Sequence, residues 1–352
     1  MKTVIKLGLF IVGLLLLMLV FKMLYIGGAF KSINNFNLGK TEYIYTNMAG
    51  TEDIDFDSKH QLLLISSSNR WASMLKNENR IDNIYALDVN DTLNTNPKRI
   101  LNTFRGEFHP HGISIVQQDS STYVFVVNHN KKGSFVEKFL FKNGTLMHLK
   151  TYENDLMFSP NDVAAVTDST FYVTNDHGYR SKFKQTLENY LQLPKSYLLY
   201  FDGTNYKKVV SGLKYANGVN LSNDKSEVYL ATTTGQKLYI YTKSAQGTLK
   251  LRHYVNTHTG IDNITVDSQG DLWLAAHPKL LKFSQHAKDS TKISPSEVIR
   301  IYKLPNGIYK QEKIYLNNGL EISGTSVAYK FKNYIFIGDV FQHKLLKINL
   351  SN

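Results

Sequence analysis

The 352-residue sequence predicts an all-β fold, a six-bladed β-propeller, preceded by an N-terminal hydrophobic helix. Three observations predict it. Short alternating runs recur in one form at a spacing of roughly 50–60 residues, as a repeat architecture requires. Tyr (22) and Phe (19) are abundant and Pro (7) is scarce, which favours strands. A run without charge, 7–21, stands near the N-terminus.

That run is flanked by Lys2, Lys6 and Lys22, and an apolar stretch continues over 23–30. Together they approach the ~20 residues needed to span a bilayer. We read 1–30 as a signal-anchor or transmembrane helix. The rival is a cleaved signal peptide, with Gly27-Gly28-Ala29 as its small-residue site. Either way the remaining chain is expected to be extracytoplasmic, periplasmic or extracellular: membrane-anchored if the segment is retained, secreted if it is cleaved. Residues 31–40 read as a polar linker, and 41–352 as one propeller domain.

Six strand starts define the repeat: 53–57, 112–115, 162–166, 218–222, 263–267 and 325–329. Each is followed, after a polar turn, by a stronger apolar strand: 62–66, 123–128, 171–174, 228–232, 272–276 and 334–338. Third strands are expected at 84–89, 135–141, 197–201, 238–241, 280–283 and 344–348. Fourth strands are expected at 98–101, 147–152, 206–210, 249–254 and 298–302. Val, Ile, Tyr and Phe at period two carry these readings. The sixth unit lacks a fourth strand. Residues 42–45 supply it, closing the ring and removing two edges. One segment departs from the pattern. Residues 182–197 place Phe183, Leu187, Tyr190 and Leu191 at near-helical spacing among lysines. It is expected to be an amphipathic helix, either packed on the propeller or touching lipid.

The formal charge is +12 and there is no cysteine. The basic residues are scattered and form no long run. They read as a solvated surface or an aid to membrane contact, with no nucleic-acid partner. Thiol nucleophiles, zinc-thiolate sites and disulfides are excluded. There is no GxSxG elbow, P-loop or HExxH motif.

Inner propeller strands border a central tunnel, so residues at their starts converge there. They are Glu52 and Asp53, His111, Asn161 and Asp162, Asn217, and Asp262 and Asn263. A single Asx is usually a turn cap. The same choice in five repeats suits a calcium-binding tunnel, because Ca²⁺ takes six to eight oxygen ligands. His111 and His129 end neighbouring strands of one unit and can share a proton near neutral pH. His177 and His277 end second strands in the same way and are candidate pocket residues.

These segments resemble the serum paraoxonase/arylesterase family, calcium-dependent six-bladed propeller lactonases. The resemblance is carried by EDIDFD, FHPHGISI, VVNH, NDVAAV, FYVTNDH, ANGVNLS, DNITVD with GDLWLAAHP, and GTSVA, in order over 41–350. It implies two calcium ions. The catalytic one would be held by Glu52, Asn161, Asn217, Asp262 and Asn263. A deeper structural one would be held by Asp53, Asp162 and the carbonyl of Ile113. His111 and His129 would be the catalytic dyad, and Asp176 and His177 would match a pocket-edge pair. Two departures matter. No disulfide can join the chain ends as in vertebrate members. Asn69-Arg70-Trp71 and Tyr215 stand where the family places other pocket side chains, so Trp71 and Tyr215 join the candidate pocket.

The expected reaction is hydrolysis of a lactone or aryl ester, a carboxylic-ester hydrolase activity on a small molecule. His111 would be the base and His129 its tuner; Asp262 is an alternative base. Two other readings stay open: a single-metal hydrolase of the gluconolactonase type, and a non-enzymatic membrane-tethered scaffold resembling strictosidine-synthase-like proteins.

Overall fold

The computed structural model describes residues 1–74, 82–91, 93 and 95–351. Its strands form six sheets around a common axis, each built outward from one inner strand. The inner strands are Thr51–Asp57, Pro110–Gln118, Pro160–Ala165, Ala216–Leu221, Gly260–Val266 and Thr325–Phe331. We number the blades one to six in that order.

Strand alternation explains how the blades pack. In blade two, Val124 and Val126 point into the interface with blade one. Phe125 and Val127 point into the interface with blade three. Both faces of the middle strand are covered, so it reads as a continuous apolar run. Among the described residues, each blade–blade interface holds its own apolar cluster. Each Val, Leu or Phe fully buried there contributes roughly 1.5–3 kcal/mol by area.

The ring closes as the sequence suggests. Lys40–Tyr45 is the outermost strand of blade six, antiparallel to Leu345–Asn349 with Ile44 opposite Leu346. Just before it, Phe36–Asn37 pairs with blade five through Leu316 and Tyr315. Part of the 31–40 segment is therefore bound along two blades.

Four helices stand outside the sheets among the described residues. Helix α1 (Lys2–Ile26) contains a span, Thr3–Ile26, long and apolar enough to cross a membrane and exposed but for its half-buried Leu19, Met23 and Ile26. Helix α2 (Arg70–Met74) is a single short turn above blade one. Helix α3 (Lys182–Leu191) is shorter than the 182–197 expected. Gln192 turns left-handed at φ 54°, Pro194 follows, and Ser196–Phe201 is already a strand of blade three. Helix α4 (Leu280–Lys288) replaces the strand expected at 280–283. Its residues Leu280, Leu281, Ser284 and Ala287 recur at helical spacing, which a four-residue window cannot distinguish from a strand. The third and fourth strands of blade five are instead Ser296–Lys303 and Tyr309–Asn317.

Candidate active site

The inner strands share an irregularity that builds the site. In every blade the inner strand carries one more residue than its partner at the same place. The register jumps from Pro110↔Asn128 to Ile113↔Val126, from Pro160↔Asn175 to Val163↔Val173, and from Ala216↔Thr232 to Val219↔Leu230. It jumps from Ile261↔Ala276 to Ile264↔Leu274 in blade five, and across Glu52 and Ser326 in blades one and six. The residues inside these bulges that carry polar side chains are Glu52, His111, Asn161 and Asp162, Asn217, Asp262 and Asn263, and Ser326. A regular strand sends consecutive side chains to opposite faces; a bulge re-aims them.

The upper layer consists of Glu52, Asn161, Asn217, Asp262 and Asn263, each at most 4% exposed. Asn217 Nδ2 donates to Thr233 Oγ1 at 2.8 Å, and Asn263 Nδ2 to the Glu52 carbonyl at 2.9 Å. With the amide nitrogens so committed, Oδ1 of Asn217 and of Asn263 is left buried without a partner. Oδ1 of Asn161 is also unpartnered, as is Glu52 Oε2, although the latter lies 2.9 Å from Arg70 Nη1. An unpaired buried acceptor costs about 1–3 kcal/mol. Three such oxygens and the Glu52 carboxylate, from four blades, form a donor set suited to a hard cation. Among the described residues no three Asp, Glu or His side chains cluster as a metal site. The set here is rich in carboxamides, which are equally good hard donors. Asp262 is held by His277 Nε2 at 2.9 Å and Ser326 Oγ at 3.2 Å. The His277 ring in turn lies parallel to Phe283, centroids 3.7 Å apart.

Below lie Asp53 and Asp162. Asp53 accepts Ile54 N–H at 2.9 Å and Ile113 N–H of the next blade at 2.8 Å. Asp162 does the same with Val163 and Val219, both at 2.7 Å. Each carboxylate stitches two inner strands and keeps further lone pairs on both oxygens. Burial pushes Asp162 up to about 8 and, with Asp162 beside it, holds Asp53 well above the usual carboxylate range. Gly112 makes this approach possible. A Cβ there would lie 2.4 Å from Asp162 Oδ1 and 2.5 Å from Asp162 Cα. Because the second contact is with backbone, Gly112→Ala is expected to lower stability by roughly 1–3 kcal/mol, read by thermal melting.

The histidines form a chain. Glu52 Oε1 lies 3.0 Å from His111 Nε2, His111 Nδ1 lies 3.0 Å from His129 Nε2, and His129 Nδ1 lies 2.9 Å from Ser134 Oγ. The direction of each bond follows from the tautomers. Burial, reinforced by the neighbouring His111, depresses His129 to about 3, so it is a neutral imidazole at ordinary pH. Burial would raise Glu52, but Arg70 and His111 outweigh it and hold the carboxyl at about 2.

Glu52, His111, Asn161, Asn217 and Asp262 lie at the base of a cavity of about 430 Å³. Tyr215 and His277 also line it. Its outer walls are Leu280, Leu281 and Phe283 of α4, Asn189 and Tyr190 of α3, and Met23 and Ile26 from the last turn of α1. Leu281 N–H donates to the Gly27 carbonyl at 3.2 Å, which fixes α1 against α4. Asp176 and His177, bonded at 2.6 Å, sit behind Tyr215, whose ring meets His177 edge-on. Trp71 is not among the lining residues; it stacks on Phe341, which is. Sequence reasoning missed Ser326, Thr233 and the α4 wall. Ser326 occupies the sixth strand start, so the repeat itself pointed to it.

The chain matches the Arylesterase family over residues 33–350. It is 35% identical to serum paraoxonase/arylesterase 1 of Homo sapiens over 309 residues, 86% of each chain. It is 35% identical to serum paraoxonase/arylesterase 2 of Gallus gallus over 306 residues, 84% of this chain and 85% of that one. Among solved structures it superposes on regucalcin of Agrobacterium tumefaciens, a calcium-binding protein, with a TM-score of 0.51 at 11% identity, covering 88% and 92% of the chains. It also superposes on a glucose dehydrogenase with a TM-score of 0.53 at 10% identity, covering 88% and 100%. These two share the fold alone. A family match across nearly the whole propeller, supported by relatives matching most of its length, establishes that this chain belongs to the arylesterase family of hydrolases.

Proposed function

We propose that this chain is a calcium-dependent hydrolase of lactones and aryl esters, tethered to a membrane by α1. The observation that carries the reading is the group of buried, unpartnered amide oxygens of Asn161, Asn217 and Asn263 around the Glu52 carboxylate, beside His111. These residues, with Asp262, would hold a catalytic Ca²⁺. Asp53, Asp162 and the Ile113 carbonyl would hold a second, structural ion. Bound at the upper position, the ion supplies Lewis-acid polarisation of the ester carbonyl.

The remaining chemistry belongs to the side chains. His111 Nε2, which lies 3.0 Å from the ionised Glu52 carboxylate here, must turn off it to take a proton from water as the water oxygen bonds to the carbonyl carbon. Neutral His129 accepts the His111 Nδ1–H, and the Glu52 carboxylate faces the imidazolium. The carbon–oxygen bond then breaks, and the proton passes from His111 to the departing alkoxide or phenoxide. A lactone yields a hydroxy acid, and an aryl ester an acid and a phenol. The apolar walls from α1 and α4 suit an acyl chain.

Two features favour a bilayer as partner. The apolar span Thr3–Ile26 is exposed over most of its length. Helix α3 is also inverted: Phe183 is 73% exposed while Gln185 and Glu188 are buried. Glu188 accepts Gly178 and Tyr179 N–H, which holds the apolar side outward, next to α1. We assign 1–30 to the anchor, 31–40 to a connecting segment and 41–352 to an extracytoplasmic hydrolase domain.

A panel of lactones of increasing acyl length, with phenyl acetate beside it, tests the activity. Hydrolysis that stops with EGTA and returns with calcium is expected; full activity after chelation would sink the calcium reading. A single-metal enzyme is the second reading, favoured by the backbone bonds that Asp53 and Asp162 already accept. Calcium stoichiometry by calorimetry, two or one, decides between them.

A further inference from the structure

Among the described residues, Arg70 is the one that helps wall both the substrate cavity and a second pocket on the flank of blade two. His111 belongs to the first space and His129 to the second. The Arg70 guanidinium stands between them. Its Nη1 lies 2.9 Å from Glu52 Oε2 and donates to the Val340 carbonyl at 3.1 Å. The Glu52 carboxylate is 3% exposed, and its other oxygen faces His111. Oε2 is therefore its open side, and Arg70 occupies that side. A divalent ion using Glu52 as proposed above must approach the same oxygen. Two cations on one buried carboxylate repel at short range in a poorly screened site. The carbonyl of Val340 can accept from Arg70 but cannot neutralise it.

We propose that Arg70 is a displaceable placeholder for the metal. It neutralises Glu52 until the ion arrives, and then turns away into the flank pocket, which is also lined by Glu107, itself paired with Lys131 at 3.1 Å. Metal entry thus exchanges one counter-cation of Glu52 for another, and Arg70 sets how readily that exchange occurs. The assignment rests on the calcium reading of the upper layer. A guanidinium suits the role because it stays charged at any working pH and spans a wide reach on a flexible stem. Its charge also explains why Glu52 remains ionised although buried.

Calcium chloride titration of the full-length protein in detergent, read by calorimetry without substrate, tests this. Glu52→Gln identifies the upper site as the binding step it abolishes. At that site Arg70→Gln is expected to bind calcium about tenfold more tightly than the unmodified chain, because the competing charge is gone. Arg70→Lys, with its charge kept, is expected to stay close to the unmodified chain. Arg70→Met, which keeps the alkyl stem, repeats the comparison if glutamine disturbs folding. Equal affinity in Arg70→Gln and the unmodified chain would overturn the proposal. So would weaker binding, which would make Arg70 a support for Glu52. Absence of any calcium binding by the unmodified chain is a different failure, because it removes the calcium reading as well.

Discussion

Replacing His111 with glutamine is expected to lower kcat for a good lactone by roughly 10²–10⁴-fold, the usual contribution of a positioned general base. Calcium affinity, read by calorimetry, should change little. Glutamine keeps a donor toward Glu52 but no group that can take a proton at neutral pH. The argument rests on position. His111 Nε2 faces the cavity and Glu52, while its Nδ1 is committed to His129. His129→Gln should cost less, about 10–100-fold, because it orients and stabilises the His111 ring without meeting substrate. If His111→Gln turns over normally, the proton goes elsewhere, and Asp262 becomes the base to test. Asp262 is a poorer base on this geometry: His277 and Ser326 already bond its Oδ2.

Much of this architecture is written in local patterns. Period-two runs located the inner and second strands of all six blades, because each middle strand is apolar on both faces and bounded by polar turns. Ring closure by Lys40–Tyr45 followed from counting strands. The errors fall where a short window is ambiguous. Leu280–Lys288 offers two adjacent leucines and a phenylalanine, and only its full length reveals a helix. Helix α3 was legible as amphipathic, but not the inversion that buries Gln185 and Glu188. That depends on Gly178 and Tyr179 presenting N–H groups to Glu188. The site divides in the same way. Residue types at the strand starts were visible. The bulges that turn Asn161 and Asp162, or Asp262 and Asn263, toward the axis together were not, because a bulge is a relation between two strands. Arg70 shows the same limit: nothing near this first residue of α2 in sequence predicts that it meets the Glu52 carboxylate of the inner strand.

Chelation should destabilise the protein as well as inactivate it. An ion that binds only the folded state adds about 2.7 kcal/mol when present at a hundredfold its Kd. EGTA is therefore expected to lower the melting temperature by roughly 5–10 °C, reversibly with calcium. The deeper layer should carry much of this. Asp53 and Asp162 are buried at 4% and 3% exposure, and they join blades one to two and three to four. Asp162→Asn separates the stitch from the ion. Both carboxylate oxygens of Asp162 accept an N–H, so an amide must oppose its own NH₂ to Val163 or Val219. That conflict costs about 1–3 kcal/mol whether or not calcium is bound. The variant should thus melt lower in EGTA than the unmodified chain, and regain less when calcium is restored. An equal calcium-dependent gain in both would place the stabilising ion in the upper layer alone. The deeper carboxylates would then be backbone stitches only, and the single-metal reading would prevail.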